Sequence, residues 1–397
     1  VAEAGVVIIG GGLAAAQAAI QLRQLRWQGP ITMLSAERFA PYWKPPLSKS
    51  VLQGTEPPES ALIRPDEFWA RRRIDLRLDT PVTRLDPDTK TVVRADGGTL
   101  RYDHAVLATG ASCVVPPLAG LKLSGVHVLR SLDDALALRD AAGPGVRVVV
   151  LGGGFIGLEA ASALTARGAA VTVIERETRL LARVASPEIS AAVLALHRRH
   201  GVEFLLGRAA IRADGVGQVR FVQLDDGQEV TCDLLLVSVG VRPETGLAER
   251  AGLRCENGVL VDSSMQTEAE AVWAVGDCVR FPSARYGRLL RLESIQNAIE
   301  GATAMASGIC GKPSHYDPLP MISSVQFGQQ LDFIGLADAK DKSVVFETGH
   351  EYALVHSNSG ACRAAECLNT APETVGALRR AIASGEPFRH LMNEAQL

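Results

Sequence analysis

Two stretches of the chain repeat one pattern of apolar and small residues. Val6-Val7-Ile8-Ile9 is an unbroken apolar run that stops at Gly10-Gly11-Gly12, and Val148-Val149-Val150-Leu151 stops in the same way at Gly152-Gly153-Gly154. Apolar runs without polar alternation predict parallel strands buried on both faces. Ala-rich stretches at residues 13–26 and 155–167 predict helices, and further apolar runs at 31–34 and 170–174 predict second strands. Strand, tight turn, helix and strand make a βαβ unit, and the chain predicts two of them. Buried strands with small-residue ends are also predicted at 104–108 (into Thr109-Gly110), 234–239 (into Gly240) and 272–275 (into Gly276-Asp277). From Met321 the texture changes. Short strand patterns at 324–334, 343–346, 352–356 and 361–368, then a helix at 372–384, predict a small α+β domain.

The glycines between strand and helix carry a chemical reading. Gly10-Gly11-Gly12-Leu13-Ala14-Ala15 has the form GxGxxA. The first glycine makes the tight turn, the second lets the backbone approach a pyrophosphate, and the small third residue lets helix and strand pack closely. The diphosphate then lies on a helix N-terminus, where free N–H groups and the helix dipole favour negative charge. Glu37, 25 residues beyond Gly12, is placed to bond ribose hydroxyls. Gly152-Gly153-Gly154-Phe155-Ile156-Gly157 is a full GxGxxG, and Glu175 closes its second strand 21 residues beyond Gly154. A carboxylate there bonds a ribose 2′-hydroxyl and repels a 2′-phosphate, which points to NAD rather than NADP. Arg176 follows directly and could accommodate a phosphate, which weakens the argument, but the acid usually decides and NAD is expected.

Composition narrows the class. A length of 397 residues suggests two or three domains, and 47% hydrophobic with 21% charged residues is an ordinary globular balance. No run of eighteen apolar residues appears, so no membrane-spanning helix is expected; Val1-Ala2-Glu3-Ala4 lacks a basic leader and is not expected to be a signal peptide, and the scattered cysteines lead us to expect a cytoplasmic protein. A formal charge of −3 gives no reason to expect nucleic acid. Seven scattered cysteines fit reduced thiols better than a disulfide framework. Cys362 and Cys367 lie five apart on a predicted strand, where they should face opposite sides. The eight histidines show no metal-ligand spacing, and no metal is expected. Leu196-His197-Arg198-Arg199-His200 reads as an exposed helix end, and Arg71-Arg72-Arg73 as a solvated helix face or a docking patch for an acidic partner.

Two dinucleotide patterns and a small third domain resemble the pyridine nucleotide-disulfide oxidoreductase superfamily across essentially the whole chain. Ala108-Thr109-Gly110 resembles its ATG strand end, and Val275-Gly276-Asp277 the close of its second FAD motif. Branches that use a redox thiol keep it in the first third of the chain; here the first cysteine, Cys113, is already past the ATG end. The corresponding stretch, Pro41-Tyr42-Trp43-Lys44-Pro45-Pro46-Leu47-Ser48-Lys49, resembles the PYxRPPLSK motif of NADH-dependent ferredoxin reductases in oxygenase electron-transfer chains. Arg291-Leu292-Glu293-Ser294-Ile295-Gln296-Asn297-Ala298 resembles their RLESVQNA, and Leu129-Arg130-Ser131-Leu132-Asp133-Asp134 their LRTLDD.

The resemblance implies an α/β protein with two Rossmann-like dinucleotide-binding domains of the glutathione-reductase kind and a small α+β C-terminal domain. Residues 1–113 and 245–319 would bind FAD, 114–244 would bind NAD, and 320–397 would form the third domain. For FAD it implies Gly10, Gly12, Leu13, Ala14, Ala15 and Glu37 at the first turn, and Lys44, Pro46 and Lys49 in the PPLSK segment. Val82, Ala108, Thr109, Gly110, Arg130, Gly276, Asp277, Glu293, Ser294 and Ile295 complete that set. For NAD(H) it implies Gly152, Gly154, Phe155, Ile156, Gly157, Glu159, Glu175, Arg183, Val239 and Gly240. Lys49 would lie beside the reactive edge of the flavin, paired with Glu159, which would also hold the nicotinamide carboxamide. Lys44 stands where the family has Arg, keeping the charge but losing the bidentate fork.

The implied activity takes hydride from NADH to FAD and passes single electrons to a [2Fe–2S] ferredoxin that feeds a mono- or dioxygenase. The chain would work as a monomer or weak homodimer. A rubredoxin reductase, a thiol-free NADH oxidase and an NADH sensor like apoptosis-inducing factor share the architecture and stay open. The family's third domain also carries a Trp near the flavin, in a motif resembling FWSDQY. Counting back from Gly335-Leu336, its place here is Ser323, with Gln326 and Phe327 matching the end of that motif.

Overall fold

A computed structural model describes residues 4–338, 340–348 and 351–385. Expectations for residues 1–3, and for 386–397 at the end of the third domain, lie outside the described residues. The chain forms two compact units, one of Val1–Trp43, Glu59–Ser112 and Val241–Pro318, the other of Lys44–Pro58, Cys113–Gly240 and Leu319–Leu397.

The first unit is built on a parallel sheet. Its strands run in the order Asp75–Arg77, Ile31–Leu34, Gly5–Ile9, Thr99–Leu107 and Val272–Ala274. Every residue of Gly5–Ile9 is buried, as an unbroken apolar run requires. An antiparallel ribbon, Val82–Asp86 with Thr91–Arg94, continues from the first part of Thr99–Leu107. The helices Leu13–Gln24 and Ile295–Ile309 pack on each other. Both bury alanines (Ala15, Ala16, Ala18 and Ala19; Ala298, Ala302 and Ala306), and side chains that small let two backbones come close.

The second unit has its own parallel sheet, ordered Glu203–Leu206, Ala170–Glu175, Arg147–Leu151, Leu234–Val237 and Val126–His127. The helix Phe155–Ala166 follows the glycine turn, and the helix Pro187–Arg199 is capped by Ser186. Residues from Leu319 onward belong to this unit. They form an antiparallel sheet ordered Met321–Gln326, Gln329–Gly335, Ala361–Leu368, Glu351–Asn358 and Lys342–Thr348. One face packs Ile334, Val355 and Ala365 against Leu378 and Ile382 of the helix Pro372–Ser384. From the other face Leu331 and Phe333 join a core with Leu158, Leu180, Ile189 and Val193. That shared core explains why no separate third unit forms: each Leu or Phe buried there contributes about 1.5–3 kcal/mol that isolation would forfeit. Residues 44–58 also belong here, held by Arg167, whose guanidinium donates to the Gln53 carbonyl at 3.0 Å.

Three local readings are corrected. The pattern at 324–334 is not one strand. It turns at Phe327 (φ 49°) and Gly328 (φ 74°), a two-residue hairpin whose central residues are both left-handed. Phe lacks the turn signature of Asn or Asp, and tertiary contacts hold it instead: its ring stacks on His200 at 4.0 Å, and its N–H donates to Ser162 Oγ at 2.8 Å. Cys362 and Cys367 do not face opposite sides. Ala364 pairs with His356 but Cys362 with Ser357, so Arg363 is an extra residue that shifts the phase by one, and both side chains enter the same core. His197, read as part of an exposed end, is wholly buried (0% exposed).

Candidate active site

In the first unit the three predicted FAD segments meet at the carboxyl ends of neighbouring parallel strands, where open α/β sheets bind ligands. Gly10 has φ 138°, and a Cβ there would lie 2.1 Å from the Ala108 carbonyl oxygen, so only glycine fits. Gly276 has φ 82°, and its Cβ would lie 2.8 Å from that of Ala14. At Gly12 nothing lies within 4 Å of a Cβ position, and the helix starting at Leu13 has no side chain capping its first N–H groups. The helix Ile295–Ile309, by contrast, is capped by Ser294, whose hydroxyl accepts the Asn297 N–H at 3.1 Å. Open backbone with free donors and a positive dipole end is the environment a dinucleotide's diphosphate needs.

Glu37 accepts a hydrogen bond from the Tyr42 phenol, and its N–H donates to Ser35 Oγ at 3.1 Å. The chain leading to Val82 runs beside it, with the Thr80 N–H on the Ser35 carbonyl at 2.7 Å. Thr109 Oγ1 donates to the Glu244 carbonyl at 2.6 Å, next to Gly110. Glu293 pairs with Arg291, and Ile295 remains 42% exposed. Asn297 was missed as a site residue, although it stands in the quoted RLESIQNA segment. Its buried amide donates to the carbonyls of Gly276 at 3.0 Å and Leu292 at 2.8 Å and accepts from the Tyr316 phenol at 2.7 Å, clamping the turn that carries Asp277. Burial pushes the Tyr316 phenol well above its ordinary range, so it stays a donor. Arg71, Arg72 and Arg73 are exposed on this unit.

The second unit repeats the cradle. Gly152 has φ 108°, and its Cβ would lie 2.3 Å from the Ser238 carbonyl; a Cβ on Gly157 would lie 2.2 Å from the Gly152 carbonyl. Gly154 faces open space, and the helix starting at Phe155 has no side-chain cap. The Glu175 carboxylate accepts the backbone N–H groups of Gly153 at 2.6 Å and Glu177 at 2.8 Å, which fixes it against the glycine turn. The Arg176 side chain is 79% exposed and pairs with Glu177 at 3.4 Å. The Arg183 guanidinium lies 3.7 Å from the Cβ position of Gly240. Ile156, Val184 and Val239 leave apolar surface exposed in this unit. The residues present therefore fit a dinucleotide in each unit.

Within the second unit the PPLSK segment meets the second glycine helix. Glu159 is 4% exposed, and Lys49 Nζ lies 2.7 Å from its Oε2. Ser48 Oγ donates to the same oxygen at 2.5 Å, and Ser324 Oγ donates to Oε1 at 2.7 Å. A carboxylate buried alone would cost several kcal/mol; three donors, one of them charged, offset that. Lys44 Nζ donates to the Arg130 carbonyl at 3.1 Å, and the Arg130 N–H is held by Asp134 at 3.0 Å. Pro46 lies in the short helical turn Pro45–Ser48 that delivers Lys49. Ser323, which the count back from Gly335-Leu336 aligns with the family Trp, is exposed and bonds Asp332 across the hairpin; Ser324, on the opposite face of the strand, is the residue that meets Glu159.

No cysteine falls in this segment. Burial pushes the thiols of Cys232 and Cys255 up to about 11 and Cys367 up to about 12, and raises Cys113, Cys278 and Cys310 as well. A nucleophilic thiol needs the opposite shift.

Comparison with known proteins gives the chain its family. The family described as pyridine nucleotide-disulphide oxidoreductase matches residues 4–302. "Probable ferredoxin reductase CtmF" of Castellaniella defragrans is 41% identical over 339 residues, 85% of this chain and 83% of that protein. "Rubredoxin-NAD(+) reductase" of Pseudomonas putida is 40% identical over 342 residues, covering 86% of this chain and 89% of that one. Among solved structures, the covalent putidaredoxin reductase–putidaredoxin complex superposes with a TM-score of 0.93 at 33% identity, over 98% of this chain and 94% of that one.

Proposed function

The chain belongs to the pyridine nucleotide-disulphide oxidoreductase family, and on that premise we propose that it is an NADH-dependent, FAD-containing reductase of a [2Fe–2S] ferredoxin serving a mono- or dioxygenase. The observation that carries this reading is the Lys49–Glu159 pair, its carboxylate buried on the helix of the second glycine turn and its lysine drawn from a segment free of cysteine. Bound FAD supplies acceptance of a hydride and release of its electrons one at a time, which couples a pair donor to a one-electron acceptor.

The chain's own residues bind, orient and exclude water. In the first unit, the open N-terminus at Gly12 would hold the FAD diphosphate, with Glu37 on the ribose and Asp277 on the ribityl chain. In the second, the turn at Gly152–Gly157 and Arg183 would hold the NADH diphosphate, and Glu175 would bond the ribose diol. Lys49 would present its ammonium to the flavin. Glu159 orients that ammonium and would accept from the nicotinamide carboxamide. Precise placement of the two rings is the main contribution asked of the protein, since hydride transfer between them requires no acid or base. We assign the chain a monomeric or weakly dimeric working state.

A second reading, reduction of a rubredoxin, is favoured by the relative of that name. The test is anaerobic titration of the FAD-loaded chain with NADH, followed by addition of a [2Fe–2S] ferredoxin or a rubredoxin. Ferredoxin reduction at many turnovers per second is expected. Rapid reduction of rubredoxin alone selects the second reading. A long-lived complex of reduced flavin and NAD that reduces neither protein refutes both and leaves a sensor.

A further inference from the structure

The contacts of Glu159 continue as a line of hydrogen bonds into the C-terminal sheet and back to the helix Pro187–Arg199, all inside the second unit. Ser324 Oγ lies 2.7 Å from Glu159 Oε1, Gln326 Nε2 lies 3.1 Å from Ser324 Oγ, and His197 Nε2 lies 2.8 Å from Gln326 Oε1. Ser324, Gln326 and His197 are all buried, at 1%, 0% and 0% exposure. Each link has one sense. The carboxylate only accepts, so the Ser324 hydroxyl donates to it. The Ser324 oxygen then accepts from the Gln326 amide N–H, which turns the amide oxygen to His197 and requires an Nε2–H there. His197 Nδ1 has no partner among the described residues. A bare nitrogen lone pair is the cheaper orphan than a buried N–H, so the same tautomer follows from the far end of the ring. Burial, reinforced by His200, pushes His197 down to about 4 and keeps the ring neutral.

The backbone supports the line. The Phe327 N–H bonds Ser162, one turn beyond Glu159 on the same helix, and the Phe327 ring lies against both His197 and His200.

We propose that His197 is a positioning residue for Glu159: through Gln326 and Ser324 it holds the carboxylate in the rotamer that meets Lys49. A side chain outside both glycine turns thereby sets the efficiency of hydride transfer. This rests on the reductase reading above. Without the His197 donor the Gln326 amide is free to rotate, Ser324 loses the N–H that fixes its hydroxyl, and Glu159 keeps donors on one oxygen only.

Two substitutions separate positioning from packing. In His197→Gln the side-chain amide nitrogen stands at the reach of Nε2; in His197→Asn it stands at the reach of Nδ1 and misses Gln326. Stopped-flow reduction of the FAD-loaded chain at saturating NADH should be slowed about five- to tenfold by His197→Asn, the equivalent of one lost hydrogen bond. The NADH dissociation constant should stay within about twofold, and His197→Gln should restore the rate. Ser324→Ala should add little in the His197→Asn background, because the line is already broken. Independently of activity, 15N NMR of the holoprotein should show His197 as the Nε2–H tautomer.

An Nδ1–H tautomer, or a wild-type limiting rate in His197→Asn, overturns the proposal. Equal slowing in Asn and Gln variants also overturns it, because packing alone would do that. If NADH fails to reduce the wild-type flavin, the reductase reading is what fails. The tautomer, and the coupling of His197→Asn with Ser324→Ala in thermal unfolding, then still decide the hydrogen-bond line.

Discussion

Replacing Glu175 probes the coenzyme choice at a single carboxylate. A carboxylate offers about four lone-pair directions, and two are filled here by the N–H groups of Gly153 at 2.6 Å and Glu177 at 2.8 Å, one on each oxygen. Each oxygen keeps one direction for a ribose hydroxyl. A hydrogen bond to a charged acceptor contributes about 1.5–3 kcal/mol. A 2′-phosphate brought to the same place meets the carboxylate charge, and two unit charges at about 4 Å repel by about 1 kcal/mol in water and about 4 kcal/mol at an effective dielectric constant of 20. Glu175 is half-buried, so the repulsion falls between these limits.

Glu175→Ala removes both effects, and water recovers part of the first. The NADH/NADPH ratio of kcat/KM should therefore fall by at least about tenfold, or 1.4 kcal/mol, with about 100-fold as the central expectation. Glu175→Gln, which keeps an acceptor but no charge, should improve NADPH while losing less with NADH. Arg176→Ala should change little, because its guanidinium is exposed and engaged with Glu177. Steady-state reduction of ferricyanide with each coenzyme, at two salt concentrations, measures all of this; added salt should shrink the NADPH penalty. A wild type that prefers NADPH, or a ratio moved less than about twofold by Glu175→Ala, refutes the reasoning.

Ser323→Trp should strengthen a long-wavelength charge-transfer band and slow NAD release, since the exposed residue 323 is aligned with the family Trp; spectra superimposable on wild type would show that position 323 does not face the flavin. Iodoacetamide at neutral pH should leave NADH–ferricyanide turnover intact, because burial raises the thiol values cited above; loss of flavin reduction with FAD retained would point to a thiol in the mechanism. His197 takes a proton near pH 4 in the folded chain, against an ordinary 6.5. Between those values only the unfolded chain is protonated, so the stability is full above about pH 6.5 and falls by up to about 3 kcal/mol as the pH drops toward 4. His104 and His127, also lowered by burial, act in the same direction. Denaturant unfolding from pH 7 to 4.5 should show a shallower acid loss in His197→Gln, and an unchanged slope would count against the buried neutral ring.

Legibility followed the range of the interactions. The glycine turns could be read directly because their requirement is local: a left-handed φ and a close carbonyl at Gly10 and Gly152 exclude any side chain, and the strand and helix on either side are written in adjacent residues. Lys49 and Glu159 came through resemblance, since nothing in the residues around either one names the other. Ser324 and Gln326 alternate with exposed neighbours, a pattern that a solvated strand shows equally well. Asn297 sat in a quoted segment without a role, because its partners, Gly276 and Tyr316, lie on separate stretches of the chain.

By itself, then, the sequence determined the two parallel-sheet frameworks, the two nucleotide cradles at their strand ends and the acidic residues after them. All of these depend on backbone sterics and on the period of apolar residues over a few neighbouring positions. Tertiary structure decided what surrounds Glu159. The hairpin tip at Phe327 is left-handed only because His200 and Ser162 hold it, and it covers the last turn of the helix that carries His197. The phase of Ala361–Leu368 is set by one extra residue, Arg363, whose insertion shows only once the neighbouring strand is paired. Burial belongs to the packed chain: the same Ser, Gln and His side chains that would be hydrated in a short peptide become, once water is excluded, a line of hydrogen bonds with a single direction.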